Sequence, residues 1–222
     1  VRVVLPEALP ILDTVKLVAR YEPALDGAGV GGDFYDVFRL PTGRVALAVG
    51  DAAGHGLQAG ALMGQLRNGL RAYAVQERGP AVTLRSLSEL IAGLEPDAFA
   101  TAFYAELDPD TGELVWASAG HPPPVLTFPG GTPRYLEGVP SPPLGIFTES
   151  DVDGGRLVLP PGGGIFMYTD GLVERRRVDI SDGLDALLSL VGAHQDQITC
   201  VDAVVNGMRE ESGYADDVCV LF

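Results

Sequence analysis

Two apolar runs rich in β-branched and aromatic residues, 33–40 and 44–50, are separated only by Pro41-Thr42-Gly43. A three-residue loop whose glycine can take a left-handed backbone closes an antiparallel hairpin. A hairpin, unlike a lone strand, dictates which residues lie opposite each other. Symmetry about Thr42 pairs residues equally far to either side, so Asp33 is expected to face Asp51 at the open end, unless a bulge at Gly43 slips the register by one. Opposed side chains in such a ladder stand about 4.5–5.5 Å apart at Cβ, close enough for two carboxylates to share a cation.

The remaining elements bound the architecture. Residues 15–21 read as a first strand, followed by a glycine-rich loop at 26–32. Residues 57–76 place Leu62, Leu66, Leu70 and Tyr73 at helical spacing, with Arg67, Asn68 and Arg71 off that stripe and Gly60, Gly64 and Gly69 permitting close packing. A second helix carries Leu84, Leu87, Leu90, Ile91 and Leu94 from Pro80 until Pro96 stops it. Residues 101–107 and 114–118 flank a DPDTGE turn as a second hairpin, and short strands are expected near Val125 and Tyr135. An apolar strand at 164–169, helices at 183–191 and 199–211, and a last strand at 218–222 complete the chain. Clustered strands with helices inserted in pairs predict an α+β sandwich, sheets inside and helices outside, and not an alternating parallel sheet. No repeat or linker interrupts it, so residues 1–222 are expected to form one domain.

Charge narrows the partners. Thirty acidic against fifteen basic residues give −15, a field that repels nucleic acid and anionic membranes. An anionic substrate would need positive charge supplied locally. Lys16 is the only lysine and GxxxxGK[ST] is absent, which excludes a P-loop. His55, His121 and His194 are scattered, and Cys200 and Cys219 lack CxxC spacing, so zinc chemistry has no ligand set. Two separate cysteines, no signal peptide and no long uncharged apolar run point to the cytoplasm. Opening on Val1, the chain is expected to be a piece of a longer protein.

Two further acidic positions fall at strand ends: Asp170 after the 164–169 strand, and Asp216-Asp217 before the last one. Two like charges 4 Å apart repel by about 4 kcal/mol at an effective dielectric near 20. Gathering four aspartates is therefore costly unless cations accompany them, and two divalent ions would leave a near-neutral centre able to receive a phosphate. Ligation by oxygen alone selects Mg²⁺ or Mn²⁺. Turn chemistry competes with this reading, because aspartates in TDG and GDAAG also bond their own backbone; spacing leaves the two evenly balanced.

The strings VGGDFYDVF at 30–38, VGDAAGHG at 49–56, YTDGL at 168–172 and ADDVCV at 215–220, with SAGHPPP at 118–124 and Leu5-Pro6, resemble the metal-dependent type 2C (PPM) serine/threonine phosphatases. Within these, the SpoIIE/RsbU-like bacterial branch is the nearest match. The resemblance implies a four-layer α-β-β-α sandwich of two central, mostly antiparallel sheets flanked by helices, with two Mn²⁺ or Mg²⁺ ions at one edge. Carried over by motif, Asp33 and Asp51 match ligands around a bridging water, Ala52 supplies its backbone carbonyl, and Asp170 and Asp216 match ligands from the later motifs. Of the Asp216-Asp217 pair it is Asp216 that the motif matches, and Asp36 is read as supporting the strand.

The implied activity is hydrolysis of phosphoserine or phosphothreonine by direct attack of the metal-bridging water, without a covalent intermediate. The implied substrate is a phosphorylated anti-sigma-factor antagonist of the STAS type, with an upstream sensor domain acting through the helices that follow the second aspartate motif. A second copy of the chain is a further candidate partner. Departures from eukaryotic relatives matter: Gly32 and Ala53 replace an acidic residue and a histidine, so no general acid is assigned. His55 and His121 are read as structural hydrogen-bonders, Arg175 to Arg177 as a solvated run, and GAGVGG at 27–32 as no dinucleotide fingerprint because it leads into a strand. A non-catalytic module that binds a phosphoprotein is the alternative function; a carboxylate-metal nuclease is disfavoured by the charge.

Overall fold

The computed structural model describes residues 5–6, 8–24, 31–54, 56–94, 97–138, 141–146, 152, 154–174, 178–194 and 196–222. The chain runs β1 (Ala19–Glu22), β2 (Asp33–Arg39), β3 (Val45–Ala52), α1 (Gly56–Ala74), α2 (Pro80–Leu94), β4 (Ala100–Leu107), β5 (Glu113–Ala119), β6 (Val125–Thr127) and β7 (Arg134–Tyr135). It continues through β8 (Gly154–Val158), β9 (Gly164–Tyr168), a single 3-10 turn (Asp170–Leu172), α3 (Ile180–Ala193), α4 (Gln197–Met208) and β10 (Val218–Leu221). One sheet has the order β1-β10-β9-β6-β7 and the other β2-β3-β4-β5-β8, with antiparallel pairing throughout the described ladders.

Alternation along single strands builds the layers. On β3, Val45, Leu47 and Val49 point between the sheets to meet Phe103, Trp116, Ile165, Met167 and Leu221. The intervening Ala46, Ala48 and Ala52 face α1 and α2, whose Leu62, Leu66, Leu70, Leu84, Leu87 and Ile91 close over them. Small residues on that face let the helices sit low. On the other sheet, Phe166, Tyr168, Val218 and Val220 turn outward onto Leu187, Val201, Val204 and Val205 of α3 and α4. Three buried interfaces thus separate four layers, in the expected α-β-β-α order. Each fully buried large side chain contributes about 1.5–3 kcal/mol, so these interfaces dominate the stability of the sandwich.

Local chemistry explains several boundaries. Asp179 accepts a hydrogen bond from Ser181 N at 2.9 Å and so starts α3 three residues before the expected position. Asp196 accepts from Thr199 N at 3.0 Å at the start of α4, which ends at Met208, short of residue 211. The first strand begins at Ala19 and not at 15, because its partner β10 is four residues long and the Val18–Phe222 pair, at 2.7 and 2.8 Å, is the last rung. Strand β8 was not expected, since its GGRLV sequence has weak strand propensity. It forms by pairing along β5, and its Gly155 lies so close to the Trp116 ring that a Cβ there would sit 2.9 Å from the indole.

Arg67 and Arg71 also depart from the helical-wheel expectation. Although off the leucine stripe, both reach down to Asp36, which is fully buried on β2. Most of the 26–32 loop, His55, Pro96 and Arg175 to Arg177 lie outside the described residues.

Candidate functional site

The β2–β3 hairpin closes as its turn residues require. Gly43 takes φ +89° and donates to Leu40 O at 2.9 Å, and no bulge slips the ladder: Asp33 faces Asp51. Both aspartates share parity with Val37, Leu47 and Val49, so they stand on the inter-sheet side, at the rim where the apolar core ends. The second sheet delivers Asp170 immediately after β9 and Asp216 just before β10.

These carboxylates feel one another. Asp33 is 2% exposed, and burial followed by the Asp51 charge holds its pKa well above the ordinary carboxylate range. Burial also raises Asp51, with the charges of Asp170, Asp216 and Asp217 adding to it. Asp170 is raised by burial, then by Glu174 and Asp216. Four aspartates distant in sequence therefore meet in one electrostatic cluster.

Among the described residues, no three His, Cys, Asp or Glu side chains already close around one point as the ligands of an ion do. Asp170 and Asp216 each accept a hydrogen bond from the next backbone N–H, at 2.9 and 2.7 Å, as turn aspartates do. The donor set nevertheless fits a hard divalent cation in kind: it is all oxygen, graded from buried Asp33 to exposed Asp216, and mutually repelling, and a cation at the rim would lower each raised pKa.

The Ala52 carbonyl belongs to the same rim. Ala52 N donates to Gly32 O at 3.1 Å, and a Cβ at Gly32 would lie 2.2 Å from Ala52 O and 2.9 Å from Asp51 Oδ1. No side chain fits at position 32 unless that backbone moves. Asp217 has a different occupation. Its Oδ1 accepts from Ala24 N at 2.9 Å, its charge adds to burial in raising the pKa of the neighbouring Tyr21 phenol, and it fills the space a Cβ at Gly31 would need. It thus holds the backbone at Ala24 and packs against Gly31, while Asp216 is the more exposed member of the pair.

Two residues behind the carboxylates escaped sequence reasoning in their detail. Thr169 donates to Asp33 Oδ2 at 2.6 Å. His121 binds at both nitrogens: Nε2 donates to Tyr168 O at 3.0 Å, so Nδ1 must accept from the Thr101 hydroxyl at 2.9 Å. Burial pushes the His121 pKa down to about 4, keeping the ring neutral as a tie between the sheets. Nothing in the spacing of SAGHPPP or YTDG announced either contact.

A family model described as stage II sporulation protein E (SpoIIE) matches residues 41–222. The chain belongs to the SpoIIE family of PP2C-type phosphatase domains. This SpoIIE-family chain is 25% identical over 167 residues to the phosphoserine phosphatase RsbP of Bacillus subtilis (strain 168), covering 73% of the chain and 40% of RsbP. It superposes on the RsbU and RsbW domains of Rv1364c from Mycobacterium tuberculosis with a TM-score of 0.80 at 31% identity, over 93% of this chain and 58% of that one. RsbX, solved in complex with magnesium, shares the fold with a TM-score of 0.73 at 15% identity over 96% of each chain. The chain spans less than half the length of RsbP. No helix among the described residues of this SpoIIE-family chain is long and apolar enough to cross a membrane.

Proposed function

We propose that the chain is a metal-dependent phosphoserine/phosphothreonine protein phosphatase. The observation that carries this reading is the convergence of Asp33 and Asp51 from one sheet with Asp170 and Asp216 from the other at a single rim. Asp33, Asp51, Asp170, Asp216 and the Ala52 carbonyl would hold two Mg²⁺ or Mn²⁺ ions. When bound, the ions would lower the pKa of water at the rim toward neutrality and draw charge from the phosphoryl oxygens.

The chain's own part is placement. The two hairpin aspartates are held by a ladder that cannot slip without turning Val45, Leu47 and Val49 out of the core. Asp170 is set by the 3-10 turn, in which Val173 N and Glu174 N both donate to its backbone carbonyl at 2.8 Å. A covalent route through cysteine is disfavoured, because burial and the neighbouring Asp33 charge push the Cys219 thiol well above its ordinary pKa. That supports direct hydrolysis by water.

For the substrate we favour a phosphorylated anti-sigma-factor antagonist of the STAS type, in a sigma-factor pathway, with residues 1–222 acting as one phosphatase domain under an upstream sensor. The family resemblance and the likeness to RsbP support this. Two buried free thiols suit a cytoplasmic setting. Incubating the protein with a phosphorylated STAS protein and with p-nitrophenyl phosphate, each with and without Mn²⁺, tests the proposal. Mn²⁺-dependent release of phosphate from both is expected. Release from neither, with Mn²⁺ bound, would favour the non-catalytic alternative; cleavage of diesters would favour a nuclease.

A further inference from the structure

Thr169 sits between β9 and Asp170 with no exposed surface. Its backbone is used in two directions. Its N–H donates to Cys219 O at 3.1 Å, continuing the β9–β10 ladder by one rung. Its carbonyl, which would complete that rung, instead accepts from Leu172 N at 3.1 Å, in the 3-10 turn that opens with Asp170. The Cys219 N–H is left needing an acceptor, and the Thr169 side chain supplies it: Oγ1 receives this hydrogen bond at 2.9 Å.

Because Oγ1 already accepts there, its proton is directed away from β10. It points across the gap between the sheets to Asp33 Oδ2, at 2.6 Å, a short O–H···O bond. Asp33 is 2% exposed, so water does not readily replace this donor. The chain of bonds therefore runs from the backbone of β10, through one hydroxyl, to the carboxylate on β2. A hydroxyl on a side chain this short both accepts from Cys219 and donates to Asp33 at a single atom.

We propose that Thr169 is a positioning residue that presets the Asp33 carboxylate for a divalent cation, through a hydroxyl oriented by Cys219 N–H. The inference rests on the metal-centre reading above. With Oδ2 held, the Asp33 carboxylate is no longer free to rotate, and its geometry no longer depends on β2 alone. The carboxylate belongs to one sheet while its setting comes from the other, so the spacing of the rim is locked across the sandwich. Partners of this kind, behind metal ligands, typically change affinity by about 10–100-fold when removed.

The test is Mn²⁺ binding to the whole chain by isothermal titration calorimetry, with folding checked by circular dichroism. T169V keeps the shape and removes both hydrogen bonds; T169S keeps them. Mn²⁺ affinity is expected to fall about 10–100-fold in T169V and to stay within about three-fold of the original in T169S. A T169V/D33N double variant should bind no more weakly than D33N, since the hydroxyl acts through Asp33. Unchanged affinity in folded T169V, or fully additive losses in the double variant, would overturn the proposal. If T169V does not fold, nuclear magnetic resonance of the wild-type protein decides: a slowly exchanging Thr169 hydroxyl proton near Asp33 supports the assignment, and rapid exchange refutes it. Should the wild-type chain bind no Mn²⁺ at all, the metal centre fails and this inference with it; should it bind while T169V binds equally, only the role of Thr169 fails.

Discussion

The Arg71 guanidinium forks onto the fully buried Asp36 carboxylate, with Nε at 2.5 Å from Oδ2 and Nη2 at 2.7 Å from Oδ1. Arg67 Nε adds a contact at 3.2 Å, and Arg71 also lies over the Phe38 ring at 4.7 Å. Asp36 is three residues from Asp33 on β2, so this pair ties α1 to the strand that carries a rim aspartate. Breaking a buried ion pair costs about 3–5 kcal/mol. Arg71 is 41% exposed, and water would recover part of that. Asp36→Ala should therefore lower stability by about 2–3 kcal/mol, read as a shift in the urea midpoint at constant slope. An unmoved midpoint would show that the pair is energetically idle.

Gly32 tests the Ala52 carbonyl. A Cβ 2.2 Å from a backbone oxygen forces the main chain to move. Gly32→Ala should weaken Mn²⁺ binding by about ten-fold or more. Gly93→Ala is the control: position 93 lies in α2 with open space around it, and alanine there should instead stabilise by about 0.5–1 kcal/mol. Mn²⁺ titration and thermal melts on both variants settle the point; wild-type affinity in Gly32→Ala removes Ala52 from the site.

Asp51→Asn should separate stability from activity. Facing carboxylates repel, so removing one charge should raise the metal-free stability by about 1–2 kcal/mol. The same change should lower Mn²⁺-dependent phosphopeptide turnover by more than about 100-fold, or about 2.7 kcal/mol at the transition state. Loss of turnover with loss of fold would mean that Asp51 is a structural residue.

The pH dependence has two limbs of opposite sign. A carboxyl whose folded pKa is raised stabilises the fold below its unfolded pKa and loses that contribution as pH rises through the folded value. For Asp51 the window runs from 3.8 to about 7. His121 is depressed from 6.5 to about 4, so its contribution is intact above 6.5 and is lost as pH falls toward 4. That gap corresponds to about 3 kcal/mol. In metal-free His121→Gln the opposing limb is gone, and the melting temperature should fall steadily from pH 4 to pH 7 by the carboxylate effect. Saturating Mn²⁺ should flatten that fall, since a cation replaces the protons. A flat metal-free profile in this variant would contradict the clustering of carboxylates.

How much could be read in advance varied with distance along the chain. The Asp33–Asp51 pairing was legible because three turn residues and an alternation of period two dictate it locally. The amphipathic helices were legible for the same reason. Strand β8 was not, because its two glycines carry no signal until β5 and Trp116 are beside them. Arg67 and Arg71 fell on the polar side of a helical wheel, yet long side chains bend toward a buried charge that the wheel does not show. Thr169 was one hydroxyl among many until the β9–β10 register placed Cys219 N–H against it.

From the residues alone came the local elements, the facing aspartates and the family resemblance, since turn chemistry, periodicity and short motifs all act over a few neighbouring positions. The docking of one sheet on the other came only with the tertiary structure. It brings Thr169 within 2.6 Å of Asp33 across 136 residues of chain, and it sets Asp217 against Ala24 N, with the charges of Asp216 and Asp217 both reaching Asp51. The reason is physical. Burial of Val45, Leu47 and Val49 against Ile165, Met167 and Leu221 is non-directional, and which polar groups meet at its edge depends on how the two faces interlock, which no local pattern encodes.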